Sequence, residues 1–176
     1  MYAFTGLRRG ELLGLKWSDV ELDAGRVHVR RSFGRYRFGE PKSRAGRRAV
    51  ALAPSLVAEL RRHKLAAPPN EHDLVFASRA GTPINPDNLY RAWARTLRKT
   101  GLRHLPMHSL RHTAVSLLIE AGANPKQLQK MVGHGSIQLT FDTYGHLMPD
   151  SLDGLTKALD AIDTQPEHNH GRAVNE

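Results

Sequence analysis

The chain has 176 residues, enough for one domain with a substantial core, and carries 26 Lys and Arg against 17 Asp and Glu, a net charge of +9. It has no cysteine, which excludes disulfides and thiolate catalysis. The opening MYAFTGLRRG holds no signal-peptide apolar core, and no apolar run approaches the ~20 residues of a membrane span, so a soluble, intracellular protein is expected.

Leu7, Leu12, Leu13 and Leu15 mark the apolar face of a helix expected over 2–16. Strands are expected at about 26–32, 36–40 and 47–52; in the first, alternation puts Val27 and Val29 on one face and Arg26, His28 and Arg30 on the other. Pro54 opens a helix to about 64, AAPPNEH (66–72) is a loop, and LVFAS (74–78) is a short apolar strand or turn. Pro86 opens the next helix, which Gly101 stops. In SLRHTAVSLLIEAG the residues Leu110, Ala114, Leu117, Leu118 and Ala121 recur at helical spacing, which predicts a core helix with His108 and Arg111 on one face of its first turn. Asn124 with Pro125 caps a short helix to Val132, stopped by Gly133, and Ser136 caps the helix that carries Tyr144. Leu152, Leu155, Leu159 and Ile162 make a last amphipathic helix at 151–164, and 165–176 has the composition of a disordered tail. The pattern is α+β, mainly α-helical with a small antiparallel β-sheet.

Charge is segregated along the chain. Residues 1–64 hold 15 basic and 6 acidic residues, whereas 65–176 hold 11 of each. Between 26 and 48 stand nine bases and one acid, Glu40, so Arg26, Arg30, Arg31, Arg35, Arg37, Lys42, Arg44, Arg47 and Arg48 are expected to face phosphates. Such contacts position a duplex without reading its sequence.

The chemistry-bearing residues are Arg8, Lys42, His108, Arg111, His134 and Tyr144. A phosphodiester under attack develops charge on its non-bridging oxygens, which a metal ion or fixed cationic donors can meet. Arg8 and Arg111 each offer a planar fork matched to two phosphate oxygens. Tyr144 is the candidate nucleophile, a phenol activated by cations and a nearby base. Its attack on DNA would leave a phosphotyrosine that keeps the energy of the broken strand, so rejoining needs no ATP. His108 and His112 stand at a zinc-binding spacing, but without the glutamate of HExxH, and neither a metal nor another cofactor is expected. Glu11, three residues after Arg8, can orient its guanidinium.

The strings TGLRRGE (5–11), PKSRAGRRAV (41–50), HSLRH (108–112) and GHGSIQLTFDTYGH (133–146), in that order, resemble the catalytic domain of the tyrosine recombinases, the phage integrase family, from about Thr5 to Pro149. The resemblance implies the tyrosine recombinase catalytic-domain fold over 1–150 and the six residues above as the catalytic set, with Glu11 and His112 supporting them. It also implies that Lys42 enters the minor groove and protonates the leaving 5′ oxygen; an ordinary phosphate contact is the other reading of that lysine. The implied activity is site-specific recombination or integration of mobile-element DNA through a 3′-phosphotyrosyl intermediate. The implied partner is double-stranded DNA, held by a homotetramer on paired sites in the cytoplasm, at the nucleoid, with 151–164 as a docking helix between protomers; packing into its own domain's core is the other reading of that helix. Relaxation of supercoils in the manner of type IB topoisomerases and a non-catalytic DNA-binding remnant remain alternatives. Tyrosine recombinases usually carry a separate core-binding domain before this unit. Met1 stands four residues ahead of Thr5, so a catalytic unit without that domain is expected.

Overall fold

The computed structural model describes residues 1–41 and 43–148, apart from the Arg44 side chain. Lys42, the expected docking helix and the expected tail lie outside the described residues. The expected helix over 2–16 is two helices, α1 (Tyr2–Thr5) and α2 (Arg9–Leu13). Gly6 separates them in the left-handed conformation, φ 60°, which ends a helix at little cost only for glycine. Periodicity alone did not reveal this break, because Tyr2 before it and Leu7, Leu12 and Leu15 after it face the same core.

The strands are shorter and more numerous than expected. β1 (Val20–Glu21), β2 (Arg26–Val29) and β5 (Arg48–Ala51) form an antiparallel sheet in the order β1-β2-β5. A separate hairpin pairs β3 (Ser32–Gly34) with β4 (Arg37–Gly39), and its turn takes Arg35 and Tyr36 through φ 48° and 59°. In the three-stranded sheet Val27 pairs with Val50 and Val29 with Arg48. The expected strand or turn at LVFAS is two isolated antiparallel bridges, Leu74 to Lys16 and Ala77 to Pro83.

Helices follow as α3 (Pro54–Ala66), α4 (Pro86–Lys99), α5 (Ser109–Glu120), α6 (Pro125–Val132) and α7 (Ile137–Tyr144). Proline at the first turn of α3, α4 and α6 fixes φ where no amide partner is lost. Asn124 caps α6 with a reciprocal bond from Gln127, and Ser136 caps α7, as expected. In α5 the buried residues are Arg111, Ala114, Val115 and Ile119, whereas Leu117 is exposed. The buried stripe is thus rotated from the expected one, and a charged residue lies within it.

Two apolar clusters result. One joins Leu7, Leu12 and Leu15 to the sheet valines and to Leu56 and Leu60 of α3. The other packs Val115 and Ile119 of α5 against Leu128, Val132 and Tyr144. Arg111 and Glu11 are buried polar residues among these helices.

Candidate active site

The break at Gly6 builds the first part of the site. Arg8 occupies the position before α2 with extended backbone, φ −72° and ψ 152°. Its backbone N–H donates to Glu11 Oε2 at 2.8 Å and its Nη1 to Glu11 Oε1 at 3.0 Å. Nη2 reaches across the fold to the Gly133 carbonyl at 3.2 Å. The expected role of Glu11, three residues along a helical turn, therefore has a geometric basis.

Glu11 is also held by Arg48, which the sequence had placed on the DNA-facing surface. That expectation is corrected: the Arg48 side chain is 4% exposed. It donates to Glu11 Oε1 at 3.1 Å and Oε2 at 2.9 Å, to the Met131 carbonyl at 2.6 Å and to the Gly46 carbonyl at 3.0 Å. The cause is strand alternation, which puts Arg48 on the same face as Val50. Burial would push the Glu11 carboxyl up, but the Arg48 hydrogen bonds and the charges of Arg48 and Arg8 outweigh it and hold the group below the ordinary carboxylate range. Gly133 closes the mesh. It ends α6 at φ 68°, and a Cβ there would stand 2.9 Å from the Ala45 carbonyl oxygen and from Arg48 Nη1.

Arg111 is 2% exposed. Its guanidinium donates to the carbonyl of Gly6 and to that of Val132, the latter at 2.6 Å. Both acceptors are carbonyls freed at helix ends. Burial first, then the charge of Arg8, lowers its pKa to about 10, so it remains cationic at neutral pH. Three guanidiniums, of Arg8, Arg48 and Arg111, thus gather around one carboxylate, and the excess positive charge suits an anion.

The nucleophile candidate ends α7. Tyr144 is 3% exposed, and its hydroxyl lies 3.0 Å from His112 Nδ1. Burial pushes the phenol up, with Arg111 pulling partly back, so at neutral pH it is protonated. His134 stacks on the Tyr144 ring, centroids 6.3 Å apart and planes 7° from parallel, while its Nδ1 meets Thr140 Oγ1 at 3.1 Å. Burial, then the charges of Arg111, Arg8 and Arg48, push His134 down to about 4. It is a neutral imidazole at neutral pH.

His108 stands at the start of α5, exposed, with its ring edge-on to His112 at 5.1 Å. Its ring contact is with His112, one turn further along α5. Burial and then His112 and Arg111 lower its pKa. A cleft of about 610 Å³ opens beside His108 and Arg8, walled by Tyr2, Phe33, Tyr90 and Pro41. Among the described residues no three His, Asp or Glu converge in a metal-holding group, and no helix is long and apolar enough to cross a membrane.

The structure therefore gathers Arg8, Glu11, Arg111, His112, His134 and Tyr144, with His108 at the edge. Sequence reasoning missed Thr140, which stands four residues before Tyr144 on the same helical face, and missed Arg48 as a buried anchor. Of the expected DNA-facing arginines, Arg26, Arg30, Arg35, Arg37 and Arg47 are exposed. Arg31 is a partial exception, because its half-buried guanidinium is ion-paired with the buried Asp19, which the exposed Arg30 also approaches at 3.6 Å.

The profile of the phage integrase family matches residues 1–150. The chain belongs to that family. It is 29% identical to a tyrosine recombinase XerC-like protein of Caldanaerobacter subterraneus subsp. tengcongensis, over 90% of this chain and 47% of that protein. The Tn1549 transposon integrase, solved in complex with circular intermediate DNA, is similar with a TM-score of 0.76 at 26% identity, over 90% of this chain and 57% of that one. The catalytic domain of bacteriophage HP1 integrase matches 94% of this chain and 82% of its own at a TM-score of 0.61 and 19% identity, a likeness of fold. The chain spans about half the length of the curated relatives it matches.

Proposed function

We propose that the chain is the catalytic unit of a tyrosine-type site-specific recombinase or integrase. The carrying observation is the Tyr144 hydroxyl, hydrogen-bonded to an imidazole beside the buried Arg111. Tyr144 Oη bonds to the phosphorus of a DNA phosphodiester as the bond to the 5′ oxygen breaks, leaving a 3′-phosphotyrosine. Arg8 and Arg111 neutralise the charge that develops on the non-bridging oxygens, and neutral His134 and His108 donate hydrogen bonds to them. Lys42 gives a proton to the departing 5′ oxygen. Attack by a 5′ hydroxyl reverses each step, so no metal and no ATP are required. The partner is double-stranded DNA, bound by a homotetramer on paired sites in the cytoplasm, at the nucleoid, with residues 151–164 docking on a neighbouring protomer.

The test is a pool of nicked duplexes of randomised sequence, from which cleavage lets a short fragment diffuse away and traps the covalent intermediate. A detergent-resistant adduct should form in EDTA, map to Tyr144 by peptide mass, and vanish in Tyr144→Phe. An undiminished adduct in that variant, or cleavage strictly dependent on Mg²⁺, sinks the reading. Sites recovered from the pool then separate strand exchange between two duplexes from topoisomers of one plasmid. A bridging 5′-phosphorothiolate, whose sulfur leaves without a proton, should restore cleavage by Lys42→Ala; equal defects on both substrates would make Lys42 a phosphate contact.

A further inference from the structure

We infer that His112, the second histidine of HSLRH, is the base that takes the phenol proton of Tyr144 during attack. The inference rests on Tyr144 as the nucleophile. The contact to His112 Nδ1 at 3.0 Å is the hydrogen bond that the Tyr144 hydroxyl makes among the described residues, and 3.0 Å is within proton-transfer reach. In the inferred role the phenol donates, Nδ1 presents its lone pair and the imidazole carries its own proton on Nε2.

The other candidates are placed differently. His134 lies parallel to the Tyr144 ring. Its Nδ1 already meets Thr140, and among the described residues the phenol bonds to His112 instead. His108 meets His112 edge-on and lines the cleft beside Arg8, a position suited to a phosphate oxygen. Glu11 is gripped on both oxygens by Arg48 and Arg8. The titratable and charged groups around the pair are His108 on α5 itself, Tyr144 from α7, Arg111 beside them, His134 in the link leaving α6, and Tyr2 of α1, which couples to Arg111.

The step balances without another reactant. The phenol proton moves to His112 Nδ1, the oxygen–phosphorus bond forms, the bond to the 5′ oxygen breaks, and Lys42 protonates that oxygen. His112 is exposed, so its imidazolium can release a proton to water, and in the rejoining direction Nδ1 returns one to the leaving phenolate. The two histidines of one string thus divide the work: the first faces substrate and the second faces the nucleophile.

Single-turnover adduct formation with the nicked duplexes, followed from pH 5 to 9, tests this. Asparagine can keep an acceptor near the Nδ1 position but cannot titrate. His112→Asn should lose about 10²- to 10⁴-fold in rate, with duplex binding retained and the acid limb of the pH profile flattened. Imidazole added to His112→Ala should restore adduct, a rescue that a packing role would not produce. A His112→Asn variant with the wild-type rate and acid limb overturns the inference, and so does a faster one, which would make the contact a latch on the tyrosine. ¹⁵N spectra of the full chain without DNA provide an independent arm. The His112 Nδ1 resonance should shift in Tyr144→Phe, and an unmoved resonance refutes the pairing. If the wild-type chain forms no adduct at all, the recombinase reading falls, whereas the spectra still decide whether His112 is the partner of the phenol.

Discussion

Arg47 and Arg48 are neighbours in sequence and opposites in environment. The Arg47 side chain is 59% exposed and meets Glu40 at 2.5 Å; that of Arg48 is 4% exposed and makes four hydrogen bonds to the carboxylate of Glu11 and to two carbonyls. The first belongs to a basic stripe open to solvent and the second to a mesh that fixes the site. Arginine serves both because its fork can saturate a buried carboxylate and its charge persists in either setting. What separates the two is strand alternation, one residue apart.

Deleting one partner of the buried pair should give the largest effect. Arg48→Ala leaves Glu11 buried with Arg8 alone, and breaking such a pair costs about 3–5 kcal/mol. Arg47→Ala should stay within about 0.5 kcal/mol of the native protein. Urea unfolding of both variants measures the contrast, and near-equal midpoints would erase it.

Within the mesh, Arg8 differs from Arg48 by its open side toward the cleft. Arg8→Ala should therefore spare much of the stability but lower adduct formation by about 10²- to 10³-fold, the usual cost of one preorganised donor. Arg8→Lys should recover little, since the ammonium cannot bridge Glu11 and a phosphate as the fork does. Full recovery by lysine would reduce Arg8 to a point charge.

This contrast marks where sequence was informative. Helices α3 to α7 were legible because prolines, Asn124 and Ser136 punctuate them and apolar spacing does the rest. Arg8, Glu11, Arg111, His112, His134 and Tyr144, which the fold brings together, stand in short strings of the sequence, since such chemistry is confined to few residue types. The split at Gly6 was not legible, because Tyr2 ahead of the left-handed glycine and the leucines after it belong to one core, which leaves the apolar spacing intact. Nor was the burial of Arg48, because a charge run suggests a solvated face unless the register of β5 is known; alternation with Val50 and Leu52 was the available signal. The contact of His112 with Tyr144 was not legible either, because it depends on how α5 and α7 pack, which is a tertiary outcome.

The buried cations should also appear in the pH dependence of stability. His134 titrates near 4 in the folded chain and near its ordinary ~6.5 when unfolded, so the unfolded chain takes up the proton first. Stability is then fully present above about pH 6.5 and falls as pH drops toward 4, by at most about 1.4 kcal/mol per pH unit for this one group. Glu11, held below the ordinary carboxylate range, adds a loss at still lower pH. His134→Gln should flatten the slope between those two values. An unchanged slope would mean that the imidazole does not feel the three guanidiniums.

The smallest effects belong to the stripe, and they sharpen the comparison from its exposed side. Each phosphate contact contributes about 0.9 to the slope of log affinity against log salt, whatever the base sequence. Arg35 and Arg37 flank the tip of the β3–β4 hairpin and are exposed, so Arg35→Gln or Arg37→Gln should each weaken binding to any duplex slightly and lower that slope by about one unit. Arg31 carries the same charge but is already ion-paired to the buried Asp19. Arg31→Gln should accordingly change the slope less, while costing more in stability through the carboxylate it abandons. Fluorescence anisotropy of a labelled duplex across a salt series reads the first quantity and urea melts the second. If Arg31 and Arg35 prove interchangeable in both measurements, the division between anchored and free arginines does not extend beyond Arg48.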